Sequence, residues 1–190
     1  MNDSNYILED IEKIFSRRAP GIISEHGHFS VLVPFVEKDG ELNLLFEVRA
    51  SGLKRQPGDI CFPGGKVENG ETAEECAARE TVEELGVKRG GIKIVNRFDD
   101  VYTHDKFIMH SFIGEIGYCD LLKAEINHRE VESVFFVPFS DFLEKGLLEP
   151  PVYKYGDKTI WGLTARIVLN IVKAIGQYLP AKSNPRAYLL

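Results

Sequence analysis

Apolar and polar positions divide the chain into short elements of two periods. Ile7, Ile11, Ile14 and Phe15 recur at helical spacing, which predicts an amphipathic helix over Tyr6–Arg18. Ser30–Val36 (SVLVPFV) and Leu42–Arg49 (LNLLFEVR) predict two strands, joined around Lys38-Asp39-Gly40, where Asp-Gly is a strong hairpin signal. Ser51–Gly70 holds five glycines and two prolines and reads as loop, with a short strand over Asp59–Phe62. Thr72–Leu85 predicts a helix: Thr72 and Glu75 have capping-box spacing, and Gly86 stands at the stop. Strands follow at Ile92–Val101, Ile108–Tyr118 and Val131–Val137, then a short helix at Phe139–Glu144 and a strand at Val152–Tyr155. Leu163–Tyr178 predicts a long amphipathic helix, and the tail from Pro180 reads as irregular. Irregular mixing of the two periods points to α+β, or to a helix–sheet–helix sandwich, in one domain over residues 1–190.

Charge and cysteine usage narrow the function classes. Net charge is −6 and the isoelectric point about 5.4, which disfavours nucleic-acid binding, because phosphate contacts need clustered Lys and Arg. Cys61, Cys76 and Cys119 are odd in number and show no CxxC spacing, so a reducing compartment is expected. Neither a signal peptide nor a membrane span is apparent, and the cytoplasm is the expected location. A homodimer is left open. His104 and His110 flank the start of one strand and read as structural, as Cys61 and Cys76 read as packing residues.

The candidate chemistry lies in GGKVENGETAEECAARETVEELGV, Gly64–Val87, where seven glutamates occupy 24 residues. On a helix, Glu80, Glu83 and Glu84 share a face at i, i+3 and i+4. Ala78, Thr81, Val82 and Leu85 fall on the core side, and small residues, Ala73 and Cys76, leave room on the acidic face. A charged run usually just faces water. Here, however, like charges repel by a few tenths of a kcal/mol per pair, and Arg79 is the one cation beside them. Hard divalent ions take oxygen ligands and sit between carboxylates and substrate phosphates, so a missing cation explains the face better. Glu74 and Glu75 need no such role, because first-turn carboxylates suit the helix dipole.

The spacing Gly65, Glu71, Arg79-Glu80, Glu83-Glu84, Gly86-Val87 closely resembles the signature loop–helix–loop of Nudix hydrolases, with Thr81 at a normally hydrophobic position. The resemblance implies an α/β/α sandwich around a mixed sheet and Mg²⁺- or Mn²⁺-dependent cleavage of a nucleoside diphosphate linked to another moiety. It implies Glu80, Glu83 and Glu84 as metal ligands, joined by the Gly65 carbonyl. Arg79 would orient the acidic cluster, and Glu71 would brace the loop or the arginine. Glu83 is the favoured catalytic base among the box residues, including Glu84, with Glu130 as a candidate from outside the box.

Upstream, LFEVRASGLKRQPGDICFPGG, Leu45–Gly65, resembles the motif of the coenzyme A pyrophosphatase branch, with Phe46, Glu47, Ala50 and Lys54 replacing Leu, Thr, Ser and Arg. Asn127–Leu143 and Ile160–Arg166 resemble the same branch. Arg49, Lys54 and Arg55 bring positive charge to an otherwise acidic chain, and Gly58, Gly64 and Gly65 permit close approach to phosphate. These residues are expected to bind substrate, while Trp161 either packs in the core or lines the pocket. The expected reaction turns coenzyme A and water into 3′,5′-ADP and 4′-phosphopantetheine. The rivals are hydrolysis of another nucleoside diphosphate such as ADP-ribose or NADH, and a non-catalytic nucleotide-binding regulator.

Overall fold

A computed structural model describes residues 27–103, 106–145 and 149–178. The predicted N-terminal helix, His104 and the tail lie outside these. The long hairpin forms first along the chain: β1 (His28–Lys38) and β2 (Glu41–Arg49) pair antiparallel with Lys38 opposite Glu41. Asp39 and Gly40 both take positive φ, 55° and 76°, the turn that matches strand twist. Beyond the Phe35–Leu44 pair the two strands part, and the chain fills the gap itself. β3 (Ile60–Cys61) pairs with β2 at Glu47 and Val48, and β4 (Gly64–Lys66) pairs with β1 at Phe29–Val31. Gly64 lies so close to the Ser30 carbonyl and the Val31 backbone that a Cβ would overlap both.

Helix α1 (Ala73–Leu85) follows, and its capping box is complete: Thr72 Oγ1 accepts from the Glu75 N–H, and the Glu75 carboxylate accepts from the Thr72 N–H. Gly86 ends it in the left-handed region at φ 70°. Then come β5 (Ile92–Arg97), β6 (Val101–Tyr102), β7 (Ile108–Ile116), the short α2 (Tyr118–Leu121), β8 (Val131–Pro138), α3 (Phe139–Lys145), the hairpin β9 (Tyr153–Tyr155) and β10 (Lys158–Ile160), and α4 (Gly162–Tyr178). The main sheet runs β3-β2-β1-β7-β5, with β8 on the other edge of β2. The β1–β7 pair is parallel and the others antiparallel, so the sheet is mixed.

Both faces of the sheet are covered, and alternation sorts the strand residues between them. Val31, Val33, Leu44 and Phe46 pack beneath α3, α4 and the β9–β10 hairpin. Leu32, Val36, Leu45, Phe112 and Ile116 pack with Ala77 and Leu85 of α1. This α/β/α arrangement is the expected fold.

Four details differ from the sequence reading. β4 lies within the stretch read as loop, because its glycines leave no apolar pattern yet pair with β1. The strand predicted over Ile92–Val101 breaks at Arg97, after a bulge between Ile94 and Asn96, and Arg97 bonds Asp100. Tyr118 opens α2 rather than closing β7. β10 was not predicted. Among the described residues no helix is long and apolar enough to cross a membrane.

Candidate active site

The gap between β1 and β2 brings three pieces together: the Cys61–Lys66 segment, helix α1 and the C-terminal end of β2. Ser30 Oγ donates to the Ala73 carbonyl at 2.6 Å and fixes the start of α1 over β1. The acidic face of α1 therefore turns partly inward. Glu84 is 3% exposed, Glu80 is half-buried and only Glu83 stands in solvent.

Arg79 organises this face. Its Nε and Nη2 donate to the two oxygens of Glu71 at 3.0 and 2.8 Å, a bidentate pair. Its Nη1 donates to Glu80 Oε1 at 2.9 Å and to Glu83 Oε2 at 3.1 Å. Glu71 Oε1 also accepts from the Glu68 N–H at 2.8 Å, which ties the loop to the arginine. The Arg79 hydrogen bonds hold the Glu71 carboxyl down at about 2, and the same contacts push Arg79 further up. Glu84 Oε2 accepts from the Gly64 N–H at 2.8 Å. A Cβ at Gly65 would overlap the Glu80 carboxylate, so any side chain there would displace Glu80 from its place against the loop.

Sequence reasoning did not single out Glu47 as a site residue. It lies on β2 after Leu45, hence on the α1 side, and is 1% exposed. Cys61 Sγ donates to its Oε1 at 3.1 Å, while its buried Oε2 has no hydrogen-bond partner among the described residues. Burial, followed by the Glu47 charge, pushes the Glu84 carboxyl up to about 9. Burial likewise pushes Glu47 up to about 7, partly opposed by the Cys61 hydrogen bond. Glu130 is exposed, yet its charge raises Glu47, Glu80 and Glu84, so it belongs to the same cluster. The available signal was a lone charge in a strand whose neighbours, Phe46 and Val48, are apolar.

Among the described residues no group of three His, Cys, Asp or Glu side chains already stands at metal-holding distance. The acidic side chains are held instead by Arg79 and the Gly64 N–H. Their chemistry nonetheless suits a hard divalent ion: all the donors are oxygen, and the Glu47 charge raises the buried Glu84 carboxyl, a repulsion that a bound cation would relieve.

On the other side of Cys61 lies a cavity of about 190 Å³, lined by Arg49, Asp59, Ile60, Phe62, Met109 and Trp161, among others. Arg49 is anchored through its backbone: its N–H donates to the Asp59 carbonyl at 2.9 Å, and its own carbonyl accepts from the Gly58 N–H at 3.0 Å. Its buried Nε has no partner. Trp161, 54% exposed, lines the cavity rather than the core. Lys54 and Arg55 stand exposed on the loop and do not line it. His110 is buried, with its Nε2 3.0 Å from His28 Nδ1 and its Nδ1 3.1 Å from Asp100, which supports a structural role.

Comparison with known proteins agrees with this geometry. The NUDIX domain family matches residues 26–156. The chain is 33% identical over 153 residues to the mouse peroxisomal coenzyme A diphosphatase NUDT7, covering 78% of this chain but only 62% of that protein. It is 28% identical to the mouse mitochondrial coenzyme A diphosphatase NUDT8, covering 91% of this chain and 90% of that protein. A crystal structure of a C. elegans Ap4A hydrolase binary complex shares the fold at TM-score 0.56 and 14% identity, covering 79% of this chain and 96% of that one. Nudix enzymes act on phosphoric anhydrides and generally use divalent metal ions. With its capped acidic helix seated over a glycine loop in a mixed α/β/α sandwich, this chain belongs to the Nudix hydrolase family.

Proposed function

We propose that the chain hydrolyses the pyrophosphate of coenzyme A and its derivatives, giving 3′,5′-ADP and 4′-phosphopantetheine or its derivative. The observation that carries this reading is Arg49: a guanidinium whose buried Nε has no hydrogen-bond partner among the described residues, lining a cavity that meets the acidic cluster at Cys61, the residue that holds Glu47. An unsatisfied planar cation next to a phosphoanhydride site suits a phosphate oxygen. Similarity to the two mouse coenzyme A diphosphatases supports the same substrate class. Lys54 and Arg55 are exposed on the adjoining loop and would serve the ribose 3′-phosphate that distinguishes coenzyme A from ADP-ribose and NADH. Gly64 and Gly65 supply the close backbone approach. Trp161, with Ile60 and Met109, offers an apolar wall for the pantetheine end.

In this reading Glu80, Glu83 and Glu84, with the Gly65 carbonyl, would hold Mg²⁺ or Mn²⁺, which when bound would supply positive charge against the pyrophosphate and ease approach of an attacking water. Arg79 orients Glu80 and Glu83, and Glu71 holds Arg79 in turn. Glu83, the most exposed of the three, takes the proton of the water. Glu130 is the second reading for that role, favoured by its charge reaching Glu80 and Glu84 from outside α1. Residues 1–190 act as one domain. The cytoplasm is the proposed location, on the strength of three free cysteines.

The test is a chromatographic product assay with Mg²⁺ or Mn²⁺, offering coenzyme A, ADP-ribose and NADH at equal concentration. The expected result is 3′,5′-ADP from coenzyme A as the fastest product. Faster turnover of another nucleotide would show that the Arg49–Arg55 loop does not select coenzyme A, and no turnover would favour a binding regulator.

A further inference from the structure

The Nudix box accounts for the carboxylates of α1 but not for the one that faces them. Glu47 comes from the sheet. It stands on the α1 side of β2, opposite Cys61 of β3 and Val134 of β8 in register, and is almost wholly buried. One oxygen is held by the Cys61 thiol, a weak donor, and the other has no partner. Leaving a buried carboxylate oxygen unpaired is costly, and a protein interior normally satisfies such a group or pairs it with a cation. Here the Arg49 charge offsets the burial only in part, and the other charged neighbours are carboxylates: Glu84, 3% exposed, then Glu130 and Glu80. Arg49, two residues along the strand, leaves its own buried Nε unpaired. The coenzyme A branch motif has Thr at this position, so the charge is a departure made by this chain.

We propose that Glu47 is a further carboxylate ligand of the divalent cation, reaching it from the sheet while Glu80, Glu83 and Glu84 reach it from α1. The proposal rests on the metal-centre reading above and extends it. A second element then closes the site. The helix provides carboxylates at i, i+3 and i+4, and β2 supplies one from beneath, at the point where β1 and β2 part. Cys61 becomes the residue that orients Glu47, holding Oε1 and leaving Oε2 to the ion. An added anionic ligand raises affinity for the cation, so this chain binds its metal more tightly than a form carrying the branch's Thr.

The test uses the metal-stripped full-length chain and Mn²⁺ alone, titrated by calorimetry in wild type, Glu47→Gln, Glu47→Thr and Glu80→Gln. Glu47→Gln and Glu47→Thr should each weaken Mn²⁺ binding about tenfold or more. Their metal-free thermal midpoints should equal or exceed that of wild type, because both remove a buried carboxylate held by one weak thiol donor with its second oxygen unpaired. A purely structural Glu47 predicts Mn²⁺ affinity within twofold of wild type in both variants, and that result overturns the proposal. Glu80→Gln separates the two levels. If it weakens Mn²⁺ binding while the Glu47 variants do not, only the present inference fails. If no variant alters binding, the metal-centre reading fails with it. A measurement on the unaltered chain guards against misfolded variants. In wild-type crystals containing Mn²⁺, anomalous scattering should place the ion within coordination distance of a Glu47 oxygen. An ion held by α1 with Glu47 out of reach overturns the proposal.

Discussion

The Nudix box and the basic loop that precedes it are both charged and glycine-rich, yet they differ in how their side chains are held. Within Gly65–Gly86 most charges have an address inside the chain: Arg79 reaches Glu71, Glu80 and Glu83, Glu75 reaches Thr72, and Glu84 reaches Gly64. In the loop from Arg49 to Gly58 the backbone is held, through the Arg49 and Gly58 hydrogen bonds, but Lys54 and Arg55 are exposed and make no side-chain hydrogen bond or ion pair among the described residues. The box is a preorganised device whose geometry exists before any ligand arrives. The loop is a set of charges on a fixed backbone, and only a substrate would give them a geometry. Changes to the carboxylates that Arg79 ties together should therefore cost turnover and stability together, whereas changes in the loop should cost selectivity alone.

The largest break in this contrast is expected from Glu80→Gln, which removes a box carboxylate while keeping its size. It should lower kcat by roughly 10²–10³ at saturating substrate, a loss typical of a group that stabilises transition-state charge. Steady-state kinetics at several Mn²⁺ concentrations would check this, and near-normal kcat would remove Glu80 from the machinery. Arg79→Lys comes next. Lysine is a point charge and cannot bridge Glu71, Glu80 and Glu83 together, so kcat/KM should fall by roughly 10–100-fold. Equal activity in the two forms would mean that the guanidinium fork does no positioning.

Lys54→Ala combined with Arg55→Ala tests the other side of the contrast. Preference for coenzyme A over 3′-dephospho-coenzyme A should drop about tenfold, the scale of one charge-assisted hydrogen bond. Folding stability should change by less than about 0.5 kcal/mol, as for exposed sites generally. Equal losses on the two substrates would place the 3′-phosphate elsewhere.

Acidity offers a test without mutation. Glu84 is held up to about 9 against an ordinary 4.5, so the folded protein keeps a proton that the unfolded chain releases. The metal-free protein should be most stable below about pH 4.5 as far as this group is concerned, and should lose that stability as pH rises toward 9. Saturating Mn²⁺ should flatten the trend, and a midpoint that climbs with pH in the metal-free protein would contradict the burial of an uncompensated carboxyl. The smallest effect belongs to Thr72→Ala, which removes half of the capping box. It should cost about 1 kcal/mol by denaturant titration and leave kcat for coenzyme A unchanged.

How much of this was legible beforehand depends on the range of the interactions. The hairpin, the capped helix, its glycine stop and the Glu80–Glu83–Glu84 face are local patterns. Turn chemistry, capping and helical spacing act within a few residues, so these features can be read along the chain, and the box spacing carried the family. Long-range packing set the rest. It opened β1 from β2 and threaded Ile60–Lys66 between them, a pairing that two glycines in a row leave unmarked in the hydrophobic pattern. It turned Glu84 inward rather than toward water, because Ser30 pins α1 over β1 and Gly64 receives the carboxylate. It moved Trp161 from a candidate core position to the wall of a cavity. Above all it brought Glu47 to the acidic helix across 33 to 37 residues of chain. A contact at that separation depends on register and packing, and the spacing of residues along a single element cannot encode it.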